Sequence, residues 1–187
     1  RDEFWQHGSV CEDYDSIECA VYAVGGWTDG YTDAIFRLME NLKGPRRALV
    51  GPWTHVYPHF GFPGPAIGFL QDSLRWWDRW LKDKKNEIES EPMLNIWMQE
   101  NFRADASNPT VNGNWFGLKD WPPDEHSRKV FWLADNKLDP SPRSEISLEI
   151  RSPTTSGLKG GEWCPRDGGG MGPEFQMDQR QDDGCSL

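Results

Sequence analysis

The residues Ala20-Val21-Tyr22-Ala23-Val24-Gly25-Gly26 open the stretch that decides the fold, and this stretch runs to His55. Its apolar, β-prone residues predict a strand that the two glycines end. Residues 48–50 begin a second strand. Between the two strands, apolar side chains at helical spacing predict a helix over residues 33–42 with one apolar face: Ile35, Leu38, Met39 and Leu42.

A strand, a helix of about ten residues and a second strand form a βαβ unit, which makes the two strands parallel and buried. In open parallel sheets, the chemistry gathers beyond the carboxyl ends of the strands. Asp29, in GGWTDG, and His55, in GPWTH, both lie there, so we expect them close together. A carboxylate beside an imidazole can fix the tautomer of the ring and stabilise its cation. In nucleophile-elbow hydrolases the serine precedes the acid in the chain.

Structural alternatives for these residues stay open. Asp29 and the glycine after it are also a common turn pair, and a lone histidine after a strand is often structural. Ser9 precedes the acid, but it lacks the G-x-S-x-G context and no strand comes before it. His55 and His59 have the spacing of a helical metal pair, but the proline between them disfavours a helix. We therefore predict no metal site and interpret residues 57–65 as a pocket wall.

Composition and charge exclude several classes of function. The 187 residues carry a net charge of -10, which argues against binding to nucleic acid or to an anionic membrane surface. No apolar run approaches the ~20 residues needed to span a bilayer. The sequence begins at Arg1 and shows no signal peptide, so we expect the natural N-terminus to be missing. The cysteines lack zinc spacing and are interpreted as free, buried thiols of a reducing, cytoplasmic compartment: Cys11, Cys19, Cys164 and Cys185.

The second half of the chain changes character. Residues 67–82 predict a helix, the charged run at 82–86 is interpreted as a domain boundary, and strand-like segments follow at 93–98, 129–133 and 144–150. Strands separated by turns predict an antiparallel sandwich, of which a jelly roll is one form. We expect the helix to pack its apolar stripe against the sheet: Phe69, Leu70, Leu74, Trp76, Trp77, Trp80 and Leu81.

Two motifs carry a family resemblance. The segments GGWTDGY at 25–31 and GPWTH at 51–55 resemble the CocE/NonD hydrolases, the group that includes bacterial cocaine esterase, X-prolyl dipeptidyl aminopeptidase, glutaryl acylases and α-amino acid ester hydrolases. The resemblance implies an α/β-hydrolase domain interrupted by a helical lid and followed by a jelly roll. On that map, residues 1–85 form the C-terminal part of the hydrolase domain, with the end of the lid at 1–18. Residues 86–187 form most of the jelly roll.

The resemblance also assigns roles. It implies that Asp29 is the triad acid, that His55 is the general base, and that Tyr31 faces the acyl pocket. We expect Trp27 and Trp53 to offer apolar surface near the acyl group. The serine and the tyrosine of the oxyanion hole would then lie upstream of this sequence.

These roles predict a fragment of a serine hydrolase that acts on a small-molecule ester or amide or on a short peptide, without a cofactor. We expect the chain alone to be inactive, because it lacks the nucleophile. An interrupted sheet exposes an apolar edge, so we expect either self-association into a homo-oligomer or cover by a missing N-terminal portion. The alternative is a non-catalytic binding module in which the jelly roll holds the ligand and the first half is a scaffold.

Overall fold

A four-stranded mixed sheet forms the centre of the chain in the computed structural model, which describes residues 2–100, 109–124, 126–134, 137–142, 147 and 154. The strands lie in the order β1-β2-β3-β4. The first three are parallel, and β4 runs antiparallel to β3. Their bounds are Val21–Gly26 for β1, Arg46–Gly51 for β2, Leu94–Gln99 for β3 and Gly113–Leu118 for β4. A separate antiparallel pair follows, with β5 at Trp132–Ala134 and β6 at Lys137–Asp139.

Of the three α-helices among the described residues, the sequence predicts the second and the third but not the first. The α-helices are α1 (Glu3–His7), α2 (Thr32–Asn41) and α3 (Phe69–Lys82). The βαβ unit is confirmed, because α2 joins β1 to its parallel neighbour β2. Short 3-10 turns occupy Val10–Glu12, Pro58–Phe60 and Glu87–Ser90.

Helix α2 covers one face of the sheet with the apolar side chains that the periodicity identifies. Ile35, Met39 and Leu42 are buried, and they form one core with alternate residues of the strands: Ala48, Val50, Leu94 and Ile96. Alternation along β2 directs Ala48 and Val50 to this face and Arg47 to the opposite one. The core holds the carboxyl ends of β1 and β2 side by side.

Helix α3 lies against the opposite face, and its orientation corrects the sequence-based expectation. Trp76 is buried and contacts the ring of Tyr22 at 5.5 Å between centroids. Much of the predicted stripe is exposed instead: Leu70, Leu74, Trp77 and Leu81. The physical reason is the polar character of this face of the sheet. Arg47 is buried there, and Asp72, which pairs with it, must also point inward.

The sheet continues past the domain boundary expected after residue 85. The strand predicted at 93–98 forms as β3, but it pairs in parallel with β2 rather than entering a separate sandwich. Its alternate residues Leu94 and Ile96 belong to the core under α2, which explains this pairing. Nearly all of the strand predicted at 144–150 lies outside the described residues, as do Cys164 and Cys185.

The sequence analysis also made predictions about the cysteines and about membrane-spanning segments. Cys11 and Cys19 are exposed, so the expectation of buried thiols is wrong for both. Within the described ranges, no helix combines the length and the apolar character that crossing a membrane requires.

Candidate active site

Asp29 and His55 form a hydrogen-bonded pair beyond the carboxyl ends of β1 and β2. The distance from Asp29 Oδ2 to His55 Nδ1 is 2.9 Å, although the two residues are 26 positions apart in sequence. The side chain of Asp29 is 9% exposed and that of His55 is 49% exposed. The carboxylate is therefore sheltered behind the ring, while the rest of the imidazole faces open space.

The two loops that carry this pair are bound to each other through their backbones. The Trp27 N–H donates to the Gly51 carbonyl at 2.9 Å, and the Thr28 N–H and hydroxyl both donate to the Trp53 carbonyl. A Cβ atom on Gly26 would lie 1.8 Å from the carbonyl oxygen of Trp53. Only a residue without a side chain permits this approach. The glycine pair thus ends β1, and Gly26 also lets the backbone of the His55 loop approach the end of this strand closely.

The carboxylate is oriented by its own turn. Asp29 Oδ1 accepts the backbone N–H of Tyr31 at 2.8 Å, which leaves Oδ2 for the histidine. The Thr32 hydroxyl contacts the carbonyl of Gly26 and lies 2.8 Å from that of Asp29. Thr32 begins α2 and is buried, so the helix start fixes the position of the turn.

The loop that carries His55 is also hydrogen-bonded to the segment that follows it in the chain. The Thr54 N–H donates to the carbonyl of Phe62 at 3.0 Å. The indole N–H of Trp53 donates to the carbonyl of Pro65 at 2.8 Å. The segment after His55 therefore folds back on its neighbours, and the ring of His55 is positioned by a closed loop.

A cavity of about 550 Å³ borders the pair. It is lined by Tyr22, Val24, Gly25, Asp29, His55, Val56, Tyr57, Pro58 and Phe69. Its wall thus includes part of the segment at 57–65, as predicted. No serine, threonine or cysteine occurs among these lining residues. The acid and base therefore face a space to which the described part of the chain brings no hydroxyl or thiol nucleophile.

The three residues predicted to bind substrate have different positions. The ring of Tyr31 is 60% exposed and meets His55 edge-on, with 5.8 Å between centroids. Trp53 is fully buried and does not line the cavity, which corrects the expectation of an apolar surface there. Trp27 is also not among the lining residues; its indole N–H donates to the carbonyl of Trp97, and its ring stacks on Phe36. Of the three, the structure brings only Tyr31 to the pair.

Sequence reasoning missed Tyr22 and Phe69, two aromatic residues of the cavity wall. Burial, reinforced by the hydrogen bond with Asp72, raises the pKa of the Tyr22 phenol, so this hydroxyl stays protonated at neutral pH. Alternation along β1 could have placed Tyr22 on the face opposite the core under α2. No local signal could have found Phe69, because it reaches the cavity from the start of α3.

The geometry suits general acid–base chemistry. An ionised carboxylate only accepts hydrogen bonds, so the contact with Asp29 selects the tautomer that carries its proton on Nδ1. This leaves Nε2 of a neutral ring free to accept a proton. Within the described ranges, no group of three or more His, Cys, Asp or Glu side chains is arranged to hold a metal ion.

The fold is of the α/β kind, with a hydrogen-bonded aspartate–histidine pair beyond the strand ends. Residues 1–57 match the family model of X-Pro dipeptidyl-peptidase (S15 family). A crystal structure of a CocE/NonD family hydrolase from Staphylococcus aureus matches with a TM-score of 0.57 and 14% sequence identity. The match covers 75% of this chain and 24% of that chain, so this chain spans about a quarter of the length of that structure. No curated protein matches. The resemblance to the S15 and CocE/NonD hydrolases is confirmed.

Proposed function

We propose that this chain supplies the acid and the base of a Ser-His-Asp hydrolase for ester or amide bonds. The observation that carries the proposal is the 2.9 Å hydrogen bond between Asp29 and His55 at the rim of an open cavity. The family match over residues 1–57 includes both residues and supports a hydrolase. Acyl bonds and X-Pro dipeptidyl bonds are the substrate classes that fit this family.

In the proposed reaction, His55 Nε2 takes the proton of a serine hydroxyl as its oxygen attacks the carbonyl carbon. Asp29 accepts a hydrogen bond from Nδ1–H of His55 throughout and stabilises the imidazolium. The same proton then passes to the leaving alcohol or amine when the bond breaks, and an acyl-enzyme remains. Water then attacks the acyl carbon as the neutral imidazole takes its proton, and the imidazolium returns this proton to the serine oxygen when the acyl–serine bond breaks and the acid leaves. Tyr31 lies beside the imidazole, where it can contact the acyl group.

We propose that the serine comes from polypeptide outside this chain, because no serine lines the cavity among the described residues. The cavity borders β1, and β1 is the terminal strand of the sheet. A parallel strand added at this edge would end beside Asp29 and His55, since the carboxyl ends of parallel strands meet at one side. This polypeptide would be either an N-terminal portion of a longer protein or another subunit.

We further propose that residues 1–18 are the end of a lid and that the second half of the chain leads into a jelly roll. Because β3 and β4 belong to the central sheet, we propose that this second domain begins after Leu118. The alternative of a binding module rests largely on residues outside the described ranges, and no contact within them favours it. A cytoplasmic location remains a prediction.

The first experiment measures hydrolysis of a p-nitrophenyl ester. The 187-residue chain alone should show no turnover above the rate in buffer, because its described residues bring no nucleophile to the cavity. A longer protein that carries this chain should hydrolyse the ester, and Asp29→Asn should lower its kcat by about 10⁴-fold, as expected when the histidine loses its orienting carboxylate. Asp33→Asn, an exposed change at the start of α2, is the matched control. Unchanged activity in Asp29→Asn would refute the proposal.

The second experiment needs no activity. Nitrogen NMR of the neutral His55 ring in this chain should show the proton on Nδ1. Asp29→Asn should shift the population toward the other tautomer, while Asp33→Asn should not. A ring protonated on Nε2 in the unmodified chain would contradict the proposed role of Asp29.

A further inference from the structure

Trp53 is hydrogen-bonded both to the loop of the acid and to the segment that follows His55. Its carbonyl accepts hydrogen bonds from the N–H and the hydroxyl of Thr28, which directly precedes Asp29. Its indole N–H donates to the carbonyl of Pro65 at 2.8 Å. Because His55 comes only two residues after Trp53, both contacts act next to the imidazole.

The indole ring of Trp53 has little room to move. The residue is fully buried, and a Cβ atom on either Gly51 or Gly61 would overlap atoms of the ring. The ring therefore occupies a slot between the end of β2 and the 3-10 turn that follows His55. Only residues without side chains permit contacts this close. A ring enclosed in this way fixes the distance between the two segments.

The segment that leads into β4 borders the same ring from the second half of the chain. The ring of Trp115 lies 6.0 Å from that of Trp53 between centroids. The Gly64 N–H donates to the Pro109 carbonyl at 2.7 Å, and the Val111 N–H donates to the Gly64 carbonyl at 2.9 Å. Gly64 directly precedes the residue whose carbonyl accepts the indole N–H. The segment from Pro109 to Trp115 thus contacts the ring and also holds the acceptor of its N–H.

These contacts bear on the geometry of the catalytic pair. Trp53 does not line the cavity, so its ring is not placed to bind substrate. The carboxylate of Asp29 is held by the N–H of Tyr31, so a shift of the Trp53 backbone would move His55 relative to a fixed partner. The hydrogen bond of 2.9 Å tolerates little displacement, because such bonds weaken beyond about 3.2 Å.

We propose that Trp53 is a positioning residue for His55, and that the segment from Pro109 to Trp115 keeps Trp53 in place. The acid and the base of the first half of the chain are then aligned only when the start of β4 is docked on the loop of the histidine. The consequence for catalysis rests on the proposed hydrolase function, whereas the effect on the hydrogen bond between Asp29 and His55 does not.

The test measures the tautomer of the neutral His55 ring in the 187-residue chain by nitrogen NMR. Trp53→Phe keeps an aromatic ring but removes the indole N–H, and it should lower the ratio of the Nδ1–H to the Nε2–H tautomer about fivefold, the effect of losing one hydrogen bond. Trp115→Leu removes one ring contact and should lower this ratio about twofold. Phe116→Leu is the matched control, because it removes an exposed ring that alternation directs to the other face of β4, and it should leave the ratio unchanged.

Circular dichroism and amide spectra establish which variants are folded. An unchanged tautomer ratio in Trp115→Leu would overturn the proposal, even if Trp53→Phe does not fold. An unchanged ratio in folded Trp53→Phe would overturn it as well. So would an equal response of Phe116→Leu, because the effect would then be general to β4 rather than specific to the contact with Trp53.

Activity in a longer protein that carries this chain separates positioning from stability. Trp53→Phe should lower kcat about fivefold and leave KM unchanged, because its ring does not line the cavity. A ring that only stabilised the fold would reduce the amount of folded enzyme and leave kcat per folded molecule unchanged. Loss of activity in Asp29→Asn with none in Trp53→Phe would refute this inference alone. Unchanged activity in both variants would refute the hydrolase function too.

Discussion

Gly26 determines how closely the loops of the acid and the histidine can approach. Its α-carbon faces the Trp53 carbonyl, which also accepts hydrogen bonds from Thr28. A side chain here would have to displace backbone rather than a flexible side chain. The loop of His55 would then move away from Asp29, and their hydrogen bond would lengthen.

Gly26→Ala should therefore lower the free energy of unfolding by about 3 kcal/mol or more, within the range of severe core overpacking. It should also abolish the fixed tautomer of His55. Gly44→Ala is the matched control, since its Cβ would lie 3.6 Å from the nearest atom, an ordinary contact. Urea unfolding followed by circular dichroism measures the free energy of unfolding of the two variants. Equal stability of the two variants would contradict the close approach.

At the same scale, the sequence predicted that Asp29 and His55 lie together, but it did not predict the whole cavity wall. The proximity of Asp29 and His55 could be predicted because the βαβ topology places residues that follow parallel strands at one edge of the sheet. Trp53 was assigned to the site because it lies beside His55 in sequence. Its ring turns inward to the Pro65 carbonyl, a contact twelve residues away that no local pattern encodes.

At the scale of elements, a buried polar network fixes the orientation of α3. Arg47 of β2 pairs with Asp72 of the helix at 3.3 Å and with Glu91 before β3 at 2.5 Å. Arg75 of the helix also contacts Glu91, and Tyr22 of β1 contacts Asp72. The network thus joins α3 to β1, β2 and the approach to β3.

The network makes stability depend on pH. Burial alone would raise the pKa of Glu91, but hydrogen bonds from Arg75 and Arg47 outweigh it and hold the pKa below its ordinary value. A carboxylate with a lowered folded-state pKa stabilises the fold above its unfolded pKa of about 4.3, and this contribution disappears as pH falls through the folded pKa.

Glu91→Gln should therefore cost about 1–3 kcal/mol at neutral pH, the range for hydrogen bonds to charged groups, and less at about pH 3. Denaturant unfolding at the two pH values measures the difference. Glu40→Gln, an exposed change on α2, should leave the pH dependence as it is in the unmodified chain. A cost for Glu91→Gln that does not shrink in acid would contradict the role of the network.

The same network explains why the sequence failed to predict the buried face of α3. Apolar periodicity counts hydrophobic side chains, and by that count Leu70, Leu74 and Leu81 belong to the inner face. The sheet presents a buried arginine instead, so Asp72 points inward and those leucines remain exposed. The helix itself was predictable because its periodicity is local, whereas its rotation depends on a residue of another element.

At the scale of the whole molecule, two surfaces stay uncovered among the described residues. Arg75 and Arg79 pair with Glu91 and Glu89 on the flank of α3 that leads to β3. The stripe of Leu70, Leu74, Trp77 and Leu81 is exposed and, by helical periodicity, lies on the side of α3 away from those arginines. β1 has no strand on its outer side within the described ranges. Among the described residues, the stripe and the edge of β1 make up the uncovered apolar surface.

We expect the 187-residue chain to self-associate through this surface when nothing else covers it. Leu74→Lys should shift the chain toward the monomer in size-exclusion chromatography with light scattering. Gln71→Lys adds the same charge at another exposed position of α3 and should not. A monomer already formed by the unmodified chain at high concentration would contradict self-association.

The outer edge of β1 has a further consequence for how assembly can be observed. The N–H groups of Val21 and Trp27 donate toward β2, so alternation directs the amides of Tyr22 and Val24 away from it. In heavy water these two amides of the monomer should exchange quickly, while that of Ala23 between them exchanges slowly. Polypeptide that supplies the serine would slow them to the rate of their neighbours. Deuterium uptake along six residues would then report completion of the enzyme before any substrate is added.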